Sequence, residues 1–209
     1  MKNSQSNIRW LTQLALLVAI ILVMSYTPLG YLPLGPLNCS LLSIPVAIGA
    51  MTMGPAAGAI LGGVFGLTSF LNAVEGKSAM GAALFAASPV GYFVMAVVAR
   101  VLMGWLCALV FRLAQKLLPG KEKTTCAIGG FAAPFLNTVF YMGFMVLLFY
   151  NTEYVQKLVA AKGAANPFMF VVLMVGLQGT VEWIVGCVIG GAVSVPVRAY
   201  LKKSGAKRN

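Results

Sequence analysis

The chain has 209 residues, of which only 9% are charged and 60% hydrophobic, with a mean hydropathy of +0.90. An average soluble domain carries roughly a quarter charged residues, so this composition excludes a water-facing globular fold and leaves a protein of the lipid bilayer. The net charge of +11 does not signal a nucleic-acid partner, because the basic residues gather at the termini and in short connections, without a stripe interleaved with exposed aromatics.

Long apolar runs, each near the roughly 20 residues needed to cross the hydrocarbon, predict six transmembrane helices. They fall at about 9–26, 38–53, 55–72, 82–116, 126–150 and 167–200. Lys2 and Arg9 before the run Leu11–Met24 have the look of a signal peptide, but Ser25-Tyr26-Thr27-Pro28 offers no small-x-small cleavage site. That run therefore reads as a retained first helix. The connection from Thr27 to Pro36 holds Pro28, Gly30, Pro33, Gly35 and Pro36 and reads as an apolar loop. Helix two is short and contains Pro45, which predicts a tilt or kink. Gly54-Pro55 marks a turn, and Glu75-Gly76-Lys77-Ser78 a loop. Helix four is longer than the bilayer, with a break expected at Ser88-Pro89. Leu118–Thr125 reads as a charged loop and residues 151–166 as a polar one. With no polar segment long enough to fold alone, residues 1–209 read as a single membrane domain: an all-α bundle of six spans.

Charge distribution orients it. With the amino terminus in the cytoplasm, the inner side holds Lys2, Arg9, Arg112, Lys116, Lys121, Lys123, Arg198, Lys202, Lys203, Lys207 and Arg208, and the outer side Lys77, Lys157 and Lys162. This bias predicts both termini inside.

The chemistry available is narrow. There is no histidine, which removes imidazole ligands and every His-based catalytic set. Cys39, Cys107, Cys126 and Cys187 lie far apart and read as small buried hydrophobes. Gly120-Lys121 is followed by Glu122, so no phosphate-binding loop is present, and no GxSxG, HExxH or acidic cluster appears. Neither an enzyme nor a cofactor or metal site is expected.

Two features do point somewhere. Ala50, Gly54, Gly58, Gly62 and Gly66 recur every four residues, a side-chain-free strip on one helical face; such strips let helices approach closely in lipid. The strip fits packing inside the bundle or docking of another subunit, and Gly54, Gly58 and Gly62 are candidates for the latter. Polar groups also sit deep in the spans. Arg100 lies in helix four, Asn137 and Tyr141 four apart in helix five, and Gln178 and Glu182 four apart in helix six. At about 1.5 Å per residue, Arg100, Asn137 and Gln178 fall roughly 15–20 Å from the outer ends. Charges at such depth are costly and mark a functional site or a buried pair. Either an Arg100–Glu182 ion pair or a ligand pocket accounts for them. With Asn38 and Asn72 at the outer ends of helices two and three, these residues form the candidate ligand set.

The stretch Pro33-Leu34-Gly35-Pro36-Leu37-Asn38, Ser43-Ile44-Pro45-Val46-Ala47-Ile48-Gly49-Ala50, Gly54-Pro55-Ala56-Ala57-Gly58-Ala59 and Gly62-Gly63-Val64-Phe65-Gly66-Leu67 resembles the substrate-binding S components of energy-coupling factor (ECF) vitamin transporters. The likeness is to the group that includes predicted pantothenate and folate transporters. It implies a multi-pass protein of the bacterial plasma membrane that binds a vitamin-like small molecule and docks on a membrane coupling subunit driven by two cytoplasmic ATPases. The family's Ala-x-x-x-Ala falls on Ala15 and Ala19, which would face that subunit, and the family's pocket region coincides with helices four to six. A buried Arg suits a carboxylate, which favours pantothenate or another small acid, while Glu182 could neutralise Arg100 or bind an amine or hydroxyl itself. The rival reading is a self-sufficient secondary transporter of a small polar or anionic solute.

Overall fold

The computed structural model of the chain describes residues 2–34 and 37–203, without the side chains of residues 2–6, 32–39, 177 and 202. Helices dominate. In chain order they are α1 (Lys2–Ser25), a hairpin of β1 (Tyr31–Leu34) and β2 (Leu37–Ser40), α2 (Ser43–Met53), α3 (Pro55–Val74) and α4 (Ala79–Ala87). There follow α5 (Pro89–Leu117), α6 (Glu122–Phe149), α7 (Glu153–Lys162), α8 (Pro167–Gly176) and α9 (Gln178–Leu201).

Five helices are long and apolar enough to cross a bilayer: Asn7–Ser25 within α1, then α3, α5, α6 and α9. The predicted second span is not one of them. Its 11 residues reach only about 16 Å, half the hydrocarbon thickness. The bent pair α7 and α8, at 73°, passes the same test if taken as one span.

Several predicted boundaries are corrected. Asn38 lies in β2 opposite Pro33, not in helix two; the residue before a proline avoids the helical region, and the chain around Pro33 pairs as an antiparallel ladder. The all-helical expectation therefore holds except for this hairpin. Since α2 starts at Ser43, Pro45 falls in its first turn, where a missing N–H costs nothing. The break at Ser88 is present: Ser88 Oγ accepts from the N–H of Gly91 and starts α5 afresh, as Ser78 Oγ does for α4 through Gly81. The predicted polar loop 151–166 contains α7, which buries Val155 and Val159 and ends on left-handed Gly163 (φ +64°). Predicted helix six is interrupted at Gly176 (φ +33°, ψ −130°), a conformation that L side chains rarely adopt.

The glycine strip is consumed inside the chain. A Cβ on Gly58 would collide with the carbonyl of Gly104, one on Gly62 with that of Arg100, and one on Gly66 would come 2.7 Å from Ala96 O. The strip is thus a backbone-to-backbone seam between α3 and α5, so Gly58 and Gly62 do not face a partner. Gly54 is the half-buried turn between α2 and α3, at φ +95°. Ala15 and Ala19 are exposed on α1, beside exposed Leu11, Leu16 and Val23.

Below the seam, α2 is almost wholly buried and anchors one core cluster with Leu61, Phe65, Met103 and Phe111. A second cluster, with Leu84, Tyr92, Met145, Phe149 and Phe170, lies toward α4 and α8.

Candidate ligand-binding site

Arg100 on α5 stands just beyond a departure from ideal helix geometry. Residues 94–98 form one wide turn in which the N–H of Ala99 reaches back to Val94 O. Such turns leave carbonyls short of their usual partners and recur at functional sites. Arg100 exploits this one: its Nη1 donates to Ala96 O over 2.8 Å. Because Gly62 brings α3 against the Arg100 backbone, the guanidinium is pressed between aromatic faces, 4.4 Å from the Phe65 centroid and 4.9 Å from that of Tyr141. Cation–π contact of this kind stabilises a desolvated charge by about 2 kcal/mol.

Arg100 forms part of the wall of a cavity of about 630 Å³. Ser69 and Asn72 of α3, Tyr92 of α5, Asn137 and Tyr141 of α6, and Gln178 and Glu182 of α9 complete its inner part. Tyr31 and Ser40 of the hairpin close it on one side. Ser25–Pro28, Lys77 and Tyr154 line the rest. The volume is that of a small-molecule site.

Glu182 reaches the hairpin. Its Oε1 accepts from the backbone N–H of Ser40 (2.7 Å) and from Gln178 Nε2 (3.4 Å). Tyr31 Oη and Ser69 Oγ are 3.0 Å apart and share a hydrogen bond. Ion pairs join Lys77 to Glu75, Lys157 to Glu153 and Arg198 to Glu122. Arg100 and Glu182 are each only 7% exposed; Arg100 bonds to Ala96 O and lies on two aromatic rings, while Glu182 takes the Ser40 N–H and Gln178.

Among the described residues, six buried polar side-chain atoms lack a hydrogen-bond partner: Ser25 Oγ, Ser40 Oγ, Asn72 Oδ1, Arg100 Nε, Asn137 Oδ1 and Ser194 Oγ. All but Ser194 belong to residues lining this cavity. Each such atom costs about 1–3 kcal/mol when left unmade, so their concentration around one space indicates groups reserved for an occupant. The set contains a charged donor and several acceptors, which calls for a ligand bearing both an anionic or acceptor group and N–H or O–H donors. Asx oxygen and nitrogen are interchangeable by rotation, which leaves that pairing capacity unchanged.

Of the seven candidate ligand residues, Asn72, Arg100, Asn137, Tyr141, Gln178 and Glu182 surround the cavity. Asn38 is in β2, and its side chain lies outside the described residues. Sequence reasoning missed Tyr31, Ser40, Ser69, Tyr92 and Tyr154. Tyr92 was the findable one, lying eight residues before Arg100 and so on the same face of one helix.

The fold and cavity define a multi-pass membrane protein built around a polar, ligand-sized chamber. The family model described as "ECF transporter, substrate-specific component" matches residues 9–190, and the chain belongs to that family. It is a substrate-specific transporter subunit, not an enzyme, and serves a small-molecule substrate together with ECF module partners. No curated protein is similar enough to count as a match.

Proposed function

We propose that this subunit captures a small carboxylate-bearing vitamin, pantothenate in the first instance, from the outer side of a bacterial plasma membrane. It then passes the vitamin to a membrane coupling subunit powered by two cytoplasmic ATPases. The observation that carries the reading is the buried Arg100 guanidinium, with Nε unpartnered, in one cavity with the unpartnered Oδ1 atoms of Asn72 and Asn137. Pantothenate has a carboxylate for the guanidinium and an amide and hydroxyls for the asparagines. A bidentate guanidinium–carboxylate pair is both strong and geometrically selective. The remaining candidate ligand residues, Tyr141, Gln178 and Glu182, would contact the hydroxylated part.

In this reading both termini are cytoplasmic, in keeping with the Lys/Arg bias of the connections. The exposed Ala15 and Ala19 of α1 form the face that meets the coupling subunit, since small residues permit close helix approach in lipid. The experiment is mass spectrometry of small molecules that copurify with the detergent-solubilised protein, followed by calorimetric titration with pantothenate. Submicromolar binding of pantothenate supports the assignment. A copurified ligand without a carboxylate, together with no pantothenate heat, would remove it.

A further inference from the structure

Within a bilayer no surface groove stays empty; it is filled by an acyl chain or by another helix. A second cavity of about 400 Å³ lies between α6 and α9, remote from the chamber, lined by Lys123, Ala127, Cys187, Val188, Gly191, Ala192, Val195 and Pro196. Its origin is local. Gly186–Gly190 make a second wide helical turn. Gly191 then lets α9 approach Ala127 so closely that a Cβ there would sit 3.1 Å from Ala127 Cα. The small side chains of Ala127 and Ala192 leave a furrow beside this contact.

The furrow runs from Lys123, in the first turn of α6, to Cys187 and Val188 of α9. Residues 187 to 196 cover about 14 Å along α9. The mouth of the furrow carries a cation: Lys123 is exposed, and the neighbouring acid, Glu122, is drawn to Arg198 at 3.1 Å.

We infer that this furrow is a phospholipid site that takes one acyl chain along Ala127, Gly191 and Ala192 and an anionic headgroup on Lys123. Nothing in it depends on the identity of the transported solute.

Native mass spectrometry of the detergent-purified full chain, titrated in parallel with dioleoyl phosphatidylglycerol and dioleoyl phosphatidylcholine, tests it. The wild type should retain phosphatidylglycerol at about fivefold lower lipid concentration, the effect of one cation near an anionic headgroup. Lys123→Gln, a change on an exposed first turn, should abolish that preference, whereas Lys116→Gln, which removes a like charge away from the furrow, should leave it. Ala192→Trp should reduce retention of both lipids. Equal retention of the two lipids by the wild type overturns the inference, as does a preference that survives Lys123→Gln. Ala192→Trp that retains lipid normally but no longer copurifies with the coupling subunit also overturns it, and assigns the furrow to protein.

Discussion

The backbone N–H of Ser40 donates to Glu182 Oε1 across 2.7 Å and 142 residues of sequence, tying the hairpin between the first two helices to the last span. A hairpin of two four-residue strands is not stable alone. Its hold on the chamber rests on this bond, on the Tyr31–Ser69 contact, and on Gly30, where a Cβ would clash with the Met24 carbonyl. A hydrogen bond to a charged group stabilises by about 1.5–3 kcal/mol. Glu182→Ala should therefore speed deuterium exchange in the peptide 31–40 by about 10- to 100-fold, with Glu182→Gln intermediate because the amide oxygen still accepts. Unchanged exchange in Glu182→Ala would mean the hairpin is held by other contacts.

The glycine seam and the alanine pair should part company under substitution. Gly62→Val must push α3 away from the Arg100 carbonyl, and overpacking of this kind costs about 1–3 kcal/mol. At about 2–4 °C per kcal/mol for a chain of this size, the thermal midpoint in detergent should fall by several degrees, and the cavity wall should move with it. Ala19→Trp adds bulk to an exposed face and should leave the midpoint and ligand affinity near wild type while abolishing uptake in cells that carry the whole transporter. If Ala19→Trp unfolds the protein, α1 packs inward and does not present a docking face.

These contrasts show which parts of the molecule were legible in sequence. The apolar spans could be read because a water-free solvent tolerates little else, and Arg100, Asn137, Gln178 and Glu182 because polar groups at that depth are costly. The hairpin was hidden: Pro and Gly signal only where a helix cannot be, while strand pairing depends on partners elsewhere. The break at Gly176 is equally silent, since the apolar run continues through it. Tyr31 and Ser40 join the chamber from the hairpin and Ser69 from within α3, where a single hydroxyl is a weak signal because it can bond back to its own helix. Arg198 enters the sequence reading only as one of the inner-side charges. It is in fact buried, donating to Glu122 and to Met51 O with its guanidinium 4.6 Å from the Phe111 ring, a tertiary arrangement that no local pattern encodes.

Orientation is open to direct measurement. In a protein freed of its native cysteines, a cysteine at position 121 should react with impermeant maleimide only after the membrane is opened, and one at position 157 in intact cells. Both sites are exposed, so burial does not confuse the result. Reversed labelling would turn the molecule over and place the mouth of the cavity in the cytoplasm.

Arg100 and Glu182 provide the sharpest test of the chamber, because they engage different groups: Ala96 O and two aromatic faces for one, Ser40 N–H and Gln178 for the other. Groups without a shared partner should have additive effects on stability, within about 0.3–0.5 kcal/mol. Arg100→Met keeps an apolar stem against Phe65 and Tyr141 but gives up the bond to Ala96 O and the cation–π contact, so it should lower stability by about 1–3 kcal/mol. It should also weaken pantothenate by about 1.5–3 kcal/mol, or roughly 10- to 150-fold in affinity. Glu182→Gln alone should loosen the hairpin, and the double variant should show both effects in sum. Arg100→Lys keeps the charge but loses the planar fork that matches a carboxylate, so it should recover only part of the affinity. Thermal unfolding gives the stability arm and calorimetric titration the binding arm. If Arg100→Met destabilises strongly and Glu182→Gln restores it, the two charges form a structural pair. If stability is additive but pantothenate binds all four proteins equally, the guanidinium is not part of the site.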